Sequence, residues 1–406
     1  MVYPENPIYA SSKRMYEEIR LLRKQNLAVD ILFFVGLKTY LEYLRDPIRW
    51  IKSVRKTSKS EKIYVKFRFP HDTNFFLKLF FLSLNFIMLF FNFSLMNRYE
   101  NYQQIHSHNA AMSFYSCLLA KIFNVDSIFD CHGIRYQEMQ MSKKHRYSRL
   151  RKKLDIFIEH FAFCNSGTVL TVSQSMKHYI KKISVTPTIT LPMCIDAQAN
   201  PYSIAKSHKI RNYLKLKDKR VIVYSGSFAE WQCFEEMSQL LLTLQSLKNN
   251  YHFLFLIPKN DKKAVVNFLH ERNLFSNSSV YSVRKSRVKY LLSASHIGLM
   301  LRKNSPVNKV SSPTKFSEYV QSGIPVIASD YVGDFSNLIK KEKLGTIVDL
   351  SKLTDINYVK NLSLAIEKIL KSVDSNYFRD FIESTLSWDL NSKELVSTYR
   401  SNLGVT

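Results

Sequence analysis

Short apolar segments recur along this chain with room for one helix between each pair, and they do so in two successive series. In the first half, NLAVDILFFV (26–35), KIYVKFRF (62–69), QQIHSH (103–108), DSIFDCHG (126–133) and GTVLTVS (167–173) read as strands. Helical runs such as SKRMYEEIRLLRKQ (12–25) and AAMSFYSCLLAKIF (110–123) separate them. The pattern dissolves around TPTITLPMCIDAQANP (186–201). It restarts with KRVIVYSGSF (219–228), YHFLFLIP (251–258), SSVYSV (278–283), HIGLML (296–301), IPVIAS (324–329) and LGTIVDL (344–350). Strands that alternate with helices build parallel sheets, so an α/β fold is expected, and 406 residues are too many for one ordinary core. The expected domains are 1–195 and 219–375, with a linker over 196–218 and helices over 376–406 that cross back to the first domain. Sheets of this kind bind substrates at the carboxyl ends of their strands, here in a cleft between two domains.

The formal charge of +26 limits the partners. Residues 1–200 carry 29 Lys/Arg against 15 Asp/Glu, and residues 201–406 carry 30 against 18, so both halves are basic. Such a body is drawn to phosphorylated small molecules, anionic lipid or nucleic acid. Nucleic acid is disfavoured, because no zinc-finger spacing or aromatic RNA-binding motif accompanies the charge. Five scattered cysteines form no CxxC pair, which argues for a reducing compartment. The N-terminus lacks a basic region followed by an apolar core, so no secretory signal is expected. FFLKLFFLSLNFIMLFFNFSLM (75–96) has the length of a membrane span, but polar residues interrupt it and a docked helix is expected. KKHRYSRLRKK (143–153) holds seven basic residues and no acid, which suits either a solvated helix face or an anionic lipid surface.

The stretch SSPTKFSEYVQSGIPVIAS (311–329) carries the chemistry. Ser312 is expected to cap a helix with Pro313 at its first position, leaving the N-terminal N–H groups as an anion site. Lys315 sits in the first turn, where the helix dipole disfavours a cation, and Glu318 lies on the same face. Phosphate at the helix start with ribose on the carboxylate describes a bound nucleotide. A solvated Lys–Glu pair is the plain alternative.

The string SSPTKFSEYVQSGIPVIASDYVGD resembles the donor-binding signature of GT-B glycosyltransferases of the family-4 type. Ser312, Pro313, Lys315, Glu318, Tyr319, Gly323, Pro325, Val326, Ile327 and Ala328 match its spacing. The resemblance implies two Rossmann-like domains facing a central cleft. It also implies transfer of a sugar, with retention, from a nucleoside-diphosphate sugar to a polyprenyl-linked or saccharide acceptor. Glu318 would hold the ribose and the 312–315 backbone, including Thr314, the diphosphate. No metal or other cofactor is expected. Val310 stands where many members carry a second glutamate. Gly226 and Ser227 follow the strand at 221–225, but Trp231 and Gln232 stand near the family's phosphate-clamping lysine, leaving Arg302 as the best replacement cation. His132 resembles the histidine that lines the family's sugar site, so it joins Lys315 as a catalytic candidate. His106 and His108 tempt a metal reading, but no carboxylate or cysteine cluster joins them in the sequence. The first strand of the family pattern is expected to be missing or shortened, because MVYPENP falls where the first loop should be. The expected setting is bacterial capsule or O-antigen synthesis in the cytoplasm, peripheral on the inner membrane face. The alternative is a non-catalytic GT-B partner or regulatory subunit.

Overall fold

A computed structural model describes residues 1–3, 12–58, 60, 62–70, 74–141, 148–196, 204–247 and 250–402. The chain divides into two compact units, Met1–Pro192 with Asn391–Thr406 and Met193–Leu390. The basic run at 143–153 is described only from Ser148 onward.

The first unit holds β1 (Val2–Tyr3), β2 (Ile31–Val35), β3 (Ile63–Phe67), β4 (Gln104–His108), β5 (Asp126–Cys131), β6 (Thr168–Thr171) and β7 (Thr188–Thr190). These make one parallel sheet in the order β3-β2-β1-β4-β5-β6-β7. The second holds β8 (Arg220–Ser225), β9 (Tyr251–Leu256), β10 (Ser278–Tyr281), β11 (Ile297–Met300), β12 (Val326–Ser329) and β13 (Gly345–Val348). Its parallel order is β10-β9-β8-β11-β12-β13. Both sheets reverse direction of build-up at the first strand, beside β4 and β11, and such switch points open crevices at the strands' carboxyl ends.

Strand β1 is present but only two residues long. Val2 pairs with Leu32 on one side and Ser107 on the other, so neighbours hold it from both edges. Strand β7 lies in the stretch where the sequence pattern dissolves; its Thr-Ile-Thr run is too short for alternation to register.

Helix Phe75–Glu100 is docked along one face. Leu82, Leu89 and Phe93 pack with Ile105, Tyr115 and Ile158. Asn85 brackets the backbone of Phe69, accepting from its N–H at 2.8 Å and donating to its carbonyl at 3.1 Å. Lys78 forms a buried ion pair with Asp155.

Helix Ser375–Thr385 belongs to the second unit, where Phe378, Phe381 and Ile382 pack with Phe316 and Val320. The return to the first unit therefore starts later than expected, at Asn391 within helix Trp388–Asn402.

Candidate functional site

In the second unit the site grows from the carboxyl ends of β8 and β11. Helix Thr314–Gln321 buries Phe316, Tyr319 and Val320 against the sheet, and this amphipathic spacing turns Lys315 inward as well. The Tyr319 ring fits only because Gly298 of β11 has no side chain: an added Cβ would lie 2.3 Å from it. The Tyr319 hydroxyl accepts the Ser225 N–H at 2.9 Å, tying the helix to the end of β8.

Lys315 is 7% exposed. Its Nζ donates to Gln232 Oε1 at 2.8 Å and stands 4.3 Å from the centre of the Tyr224 ring. Gly226, with φ +154°, brings the loop after β8 directly over it; a Cβ there would meet Nζ at 2.9 Å. Arg302 follows β11 and is 6% exposed, its backbone N–H bound to Ser329 Oγ at 2.7 Å. Its Nε has no hydrogen-bond partner among the described residues. Burial, and then the charge of Arg302, hold the Lys315 ammonium well below its ordinary range. Burial likewise lowers Arg302. Two buried cations that disfavour each other, without an ion pair among the described residues, are costly unless an anion completes them.

The structure thus brings Gly226, Arg302, Lys315 and Glu318 to one place. Glu318 is half-buried, one turn along the helix, and its charge favours the protonated lysine. The plain alternative of a solvated Lys–Glu pair is excluded by the burial of Lys315. The capping expectation is corrected: Pro313, not Ser312, is the N-cap, and no side chain caps the helix. Ser312 Oγ instead accepts the Met193 N–H at 3.4 Å, because the extended backbone at Pro313 carries Ser312 beyond reach of the first turn. Thr314 is the first helical residue. Ser227 contributes its carbonyl, which accepts from the Tyr224 hydroxyl at 2.8 Å. Val310 is buried and apolar. Tyr224 and Gln232 carry roles that the sequence did not reveal. The aromatic ring reads as a core strand residue, and Gln232 sits 83 positions from its partner.

In the first unit, His132 follows β5 and donates through Nε2 to Asp130 Oδ2 at 2.6 Å, with about a third of its side chain exposed. Its Nδ1 is the ring nitrogen left to accept. Asp130 is fully buried and held by Arg14 through two bonds, Nε–Oδ2 at 2.9 Å and Nη2–Oδ1 at 3.1 Å. Arg14 also touches Glu18 at 2.9 Å and donates to the carbonyls of Leu191 and Pro192, both at 3.0 Å. His108 Nδ1 lies 3.2 Å from Asp130, its ring stacked at 4.8 Å on His106, whose Nδ1 meets the Tyr399 hydroxyl at 2.5 Å. The sequence expectation that no carboxylate joins the two histidines is therefore wrong. Ligand atoms of Glu18, His106, His108 and Asp130 all lie within 4.8 Å of one another. Arg14 already brings a positive charge to both carboxylates.

Electrostatics divide this cluster. Burial alone would raise Asp130, but Arg14, His132 and the histidine hydrogen bonds hold it well below the carboxylate range. Burial and the neighbouring Asp130 push Glu18 well above it. Burial lowers His108 to about 4 and His106 well below its usual value. One ionised carboxylate thus orients a half-exposed imidazole, an arrangement able to position a hydroxyl or shuttle a proton. Arg14 and Glu18 were visible in sequence only as charges at i, i+4 on the same stripe as Leu21 and Leu22, a departure from amphipathic order.

No family model and no curated protein matches the chain. Solved structures do. Sucrose-phosphate synthase from Thermosynechococcus elongatus is 15% identical with a TM-score of 0.72, over 99% of this chain and 98% of that one. HepE of Anabaena in complex with UDP-glucose is 12% identical with a TM-score of 0.67, over 98% and 99%. The lipopolysaccharide outer core galactosyltransferase WaaB is 13% identical with a TM-score of 0.65, over 99% of both chains. The fold is GT-B, along its whole described length.

Proposed function

We propose that this GT-B chain is a glycosyltransferase that moves a sugar from a nucleoside-diphosphate sugar to a lipid-linked or saccharide acceptor. The observation that carries this reading is the pair of buried cations, Lys315 and Arg302, beside the uncapped start of helix Thr314–Gln321. A diphosphate there receives backbone N–H groups, the helix dipole and two positive charges at once. Glu318 accepts hydrogen bonds from the ribose hydroxyls. The UDP-glucose complex of HepE, a structure of the same fold, supports a nucleotide-sugar ligand.

In the reaction we propose, the bond from the anomeric carbon to the diphosphate oxygen breaks, and the acceptor oxygen bonds to the same carbon from the same face. The acceptor proton passes to the departing phosphate oxygen, and Lys315 and Arg302 neutralise the charge that builds there. Within the first unit, His132, oriented by Asp130, can hold a ligand hydroxyl. The basic body and the exposed apolar helix of the first unit support a lipid-linked acceptor at an anionic membrane. WaaB supports a role in bacterial surface-polysaccharide assembly.

A second reading keeps the nucleotide but drops turnover. Buried, apolar Val310 cannot offer a carboxylate to the donor sugar, as a non-catalytic subunit would allow. Calorimetric titration with UDP and GDP, followed by donor turnover, separates the two: binding without turnover favours the subunit. For the enzyme, Lys315→Ala and Glu318→Ala are each expected to weaken nucleotide binding at least tenfold and to lower transfer by two orders of magnitude or more. Unchanged affinity and transfer in both variants would reject the site.

A further inference from the structure

Helix Leu37–Arg45 has no buried residue, although five of its nine residues are Leu or Tyr. Tyr40 and Tyr43 face the protein, with Tyr40 6.0 Å from Phe67 and Tyr43 5.5 Å from Trp50. Leu37, Leu41 and Leu44, at i, i+4 and i+7, form a stripe that points away, exposed by 58%, 47% and 51%. Ile48, at the start of helix Pro47–Ser58, extends it and is 69% exposed. Single exposed leucines are ordinary, but a row of them is not.

Rings link this row to a second one. Phe67 lies 5.0 Å from Phe69, and Phe69 stacks on Phe81 at 5.2 Å. Next to Phe81, in the first turns of helix Phe75–Glu100, Phe76 and Phe80 are exposed by 77% and 57%. Both rows lie at the carboxyl end of the first sheet, since helix Leu37–Arg45 follows β2 at Gly36 and helix Phe75–Glu100 follows β3. That is the end that also carries His108 and His132.

Charge says what covers the surface. Lys38 and Arg45, seven residues apart, line one border of the leucine stripe, and Arg49 and Lys52 continue beyond it, all exposed. The acids nearby are Glu42 and Asp46, and Asp46 is engaged in capping the Arg49 N–H at 3.0 Å. Residues 75–99 contain no acid. An apolar stripe bordered by lysine and arginine is the pattern of a helix that lies in a membrane interface. A second copy of the chain would set these cations against their own images, on a body already at +26. Asn85 and Lys78 pin the other face of helix Phe75–Glu100 to the unit, a contact that a helix crossing a bilayer would have to give up.

We propose that the corner built by Leu37, Leu41, Leu44, Ile48, Phe76 and Phe80 inserts into an anionic bilayer and holds the acceptor end of the first sheet at the lipid surface. This rests on the reading of a lipid-linked acceptor, and gives that acceptor its approach.

The test is co-sedimentation of the full chain with phosphatidylcholine vesicles made with and without phosphatidylglycerol. Binding is expected only to the anionic vesicles. The triple variant L37S/L41S/L44S is expected to lose at least tenfold in partitioning, and K38Q/R45Q/R49Q about fivefold per residue removed. UDP titration of the same variants is expected to match the parent chain, because these residues lie outside the donor site. Parent-like vesicle binding by both triple variants, or no binding by the parent chain, overturns the docking surface. So does sedimentation showing that the leucine variant merely converts a dimer into a monomer. Vesicle binding with no UDP binding would uphold the surface and reject the donor reading, so the two failures are distinguishable.

Discussion

Lys315 stands in a place where its own proton is poorly held, because burial and Arg302 both disfavour the charge. A diphosphate reverses that balance, since each negative oxygen favours the ammonium. Nucleotide binding is therefore expected to take up a proton, and affinity to fall as pH rises above the lysine's lowered value. Calorimetry of UDP binding in buffers of different ionisation enthalpy measures that uptake directly; Lys315→Met is expected to abolish it. Proton-neutral binding by the parent chain would show that Lys315 is already charged. At this scale the sequence was informative where chemistry repeats at short spacing. Lys315 and Glu318 stand one turn apart and announce themselves, whereas Tyr224 and Gln232 meet Lys315 only through the fold. The same holds for Asp130, which reads as a strand residue until Arg14, 116 positions away, closes on it.

At the scale of elements, the strand–helix alternation announced eleven of the thirteen strands among the described residues, because each is bounded by polar turns and holds a run of apolar residues. The two it left out, Val2–Tyr3 and Thr188–Thr190, are two and three residues long, too short for any period. Helix Thr314–Gln321 shows how an element is set by what its neighbour lacks. Gly298 clears the space for Tyr319, whose hydroxyl then grips the end of β8. Gly298→Ala is expected to cost about 1–3 kcal/mol through overpacking, read as a lower denaturant midpoint, and to weaken UDP binding as the helix start shifts. A variant of parent-like stability would mean that the ring moves aside freely. Sequence pattern could not have shown this dependence, since a glycine in a strand reads only as a weak position.

The whole molecule carries several histidines that folding keeps neutral. Burial lowers His108, His252 and His296 to about 4, and His106 further. His296 Nδ1 accepts the Val221 N–H at 3.0 Å, a bond that protonation forbids. The unfolded chain binds protons at these sites near pH 6.5 while the folded chain does not, so stability is full above that value and declines as pH falls toward 4. Thermal unfolding followed between pH 7 and pH 4 is expected to show a steadily falling midpoint; a flat profile would mean that these imidazoles are charged in the native state. A division into two arrays was legible from the break in periodicity near residue 190. The closing of the first unit by residues from the other end of the chain was not, because a hydrogen bond such as that from Tyr399 to His106 spans 293 positions.

That closure has a consequence for how the protein is made. Synthesis delivers Met193–Leu390 without interruption, so the whole sheet of this unit, β8 to β13, has been made before the chain returns to the first unit at Asn391. The earlier-made portion waits longer, with the buried imidazole of His106 unmatched until Tyr399 emerges, 293 positions after it. The part translated first is thus the part finished last.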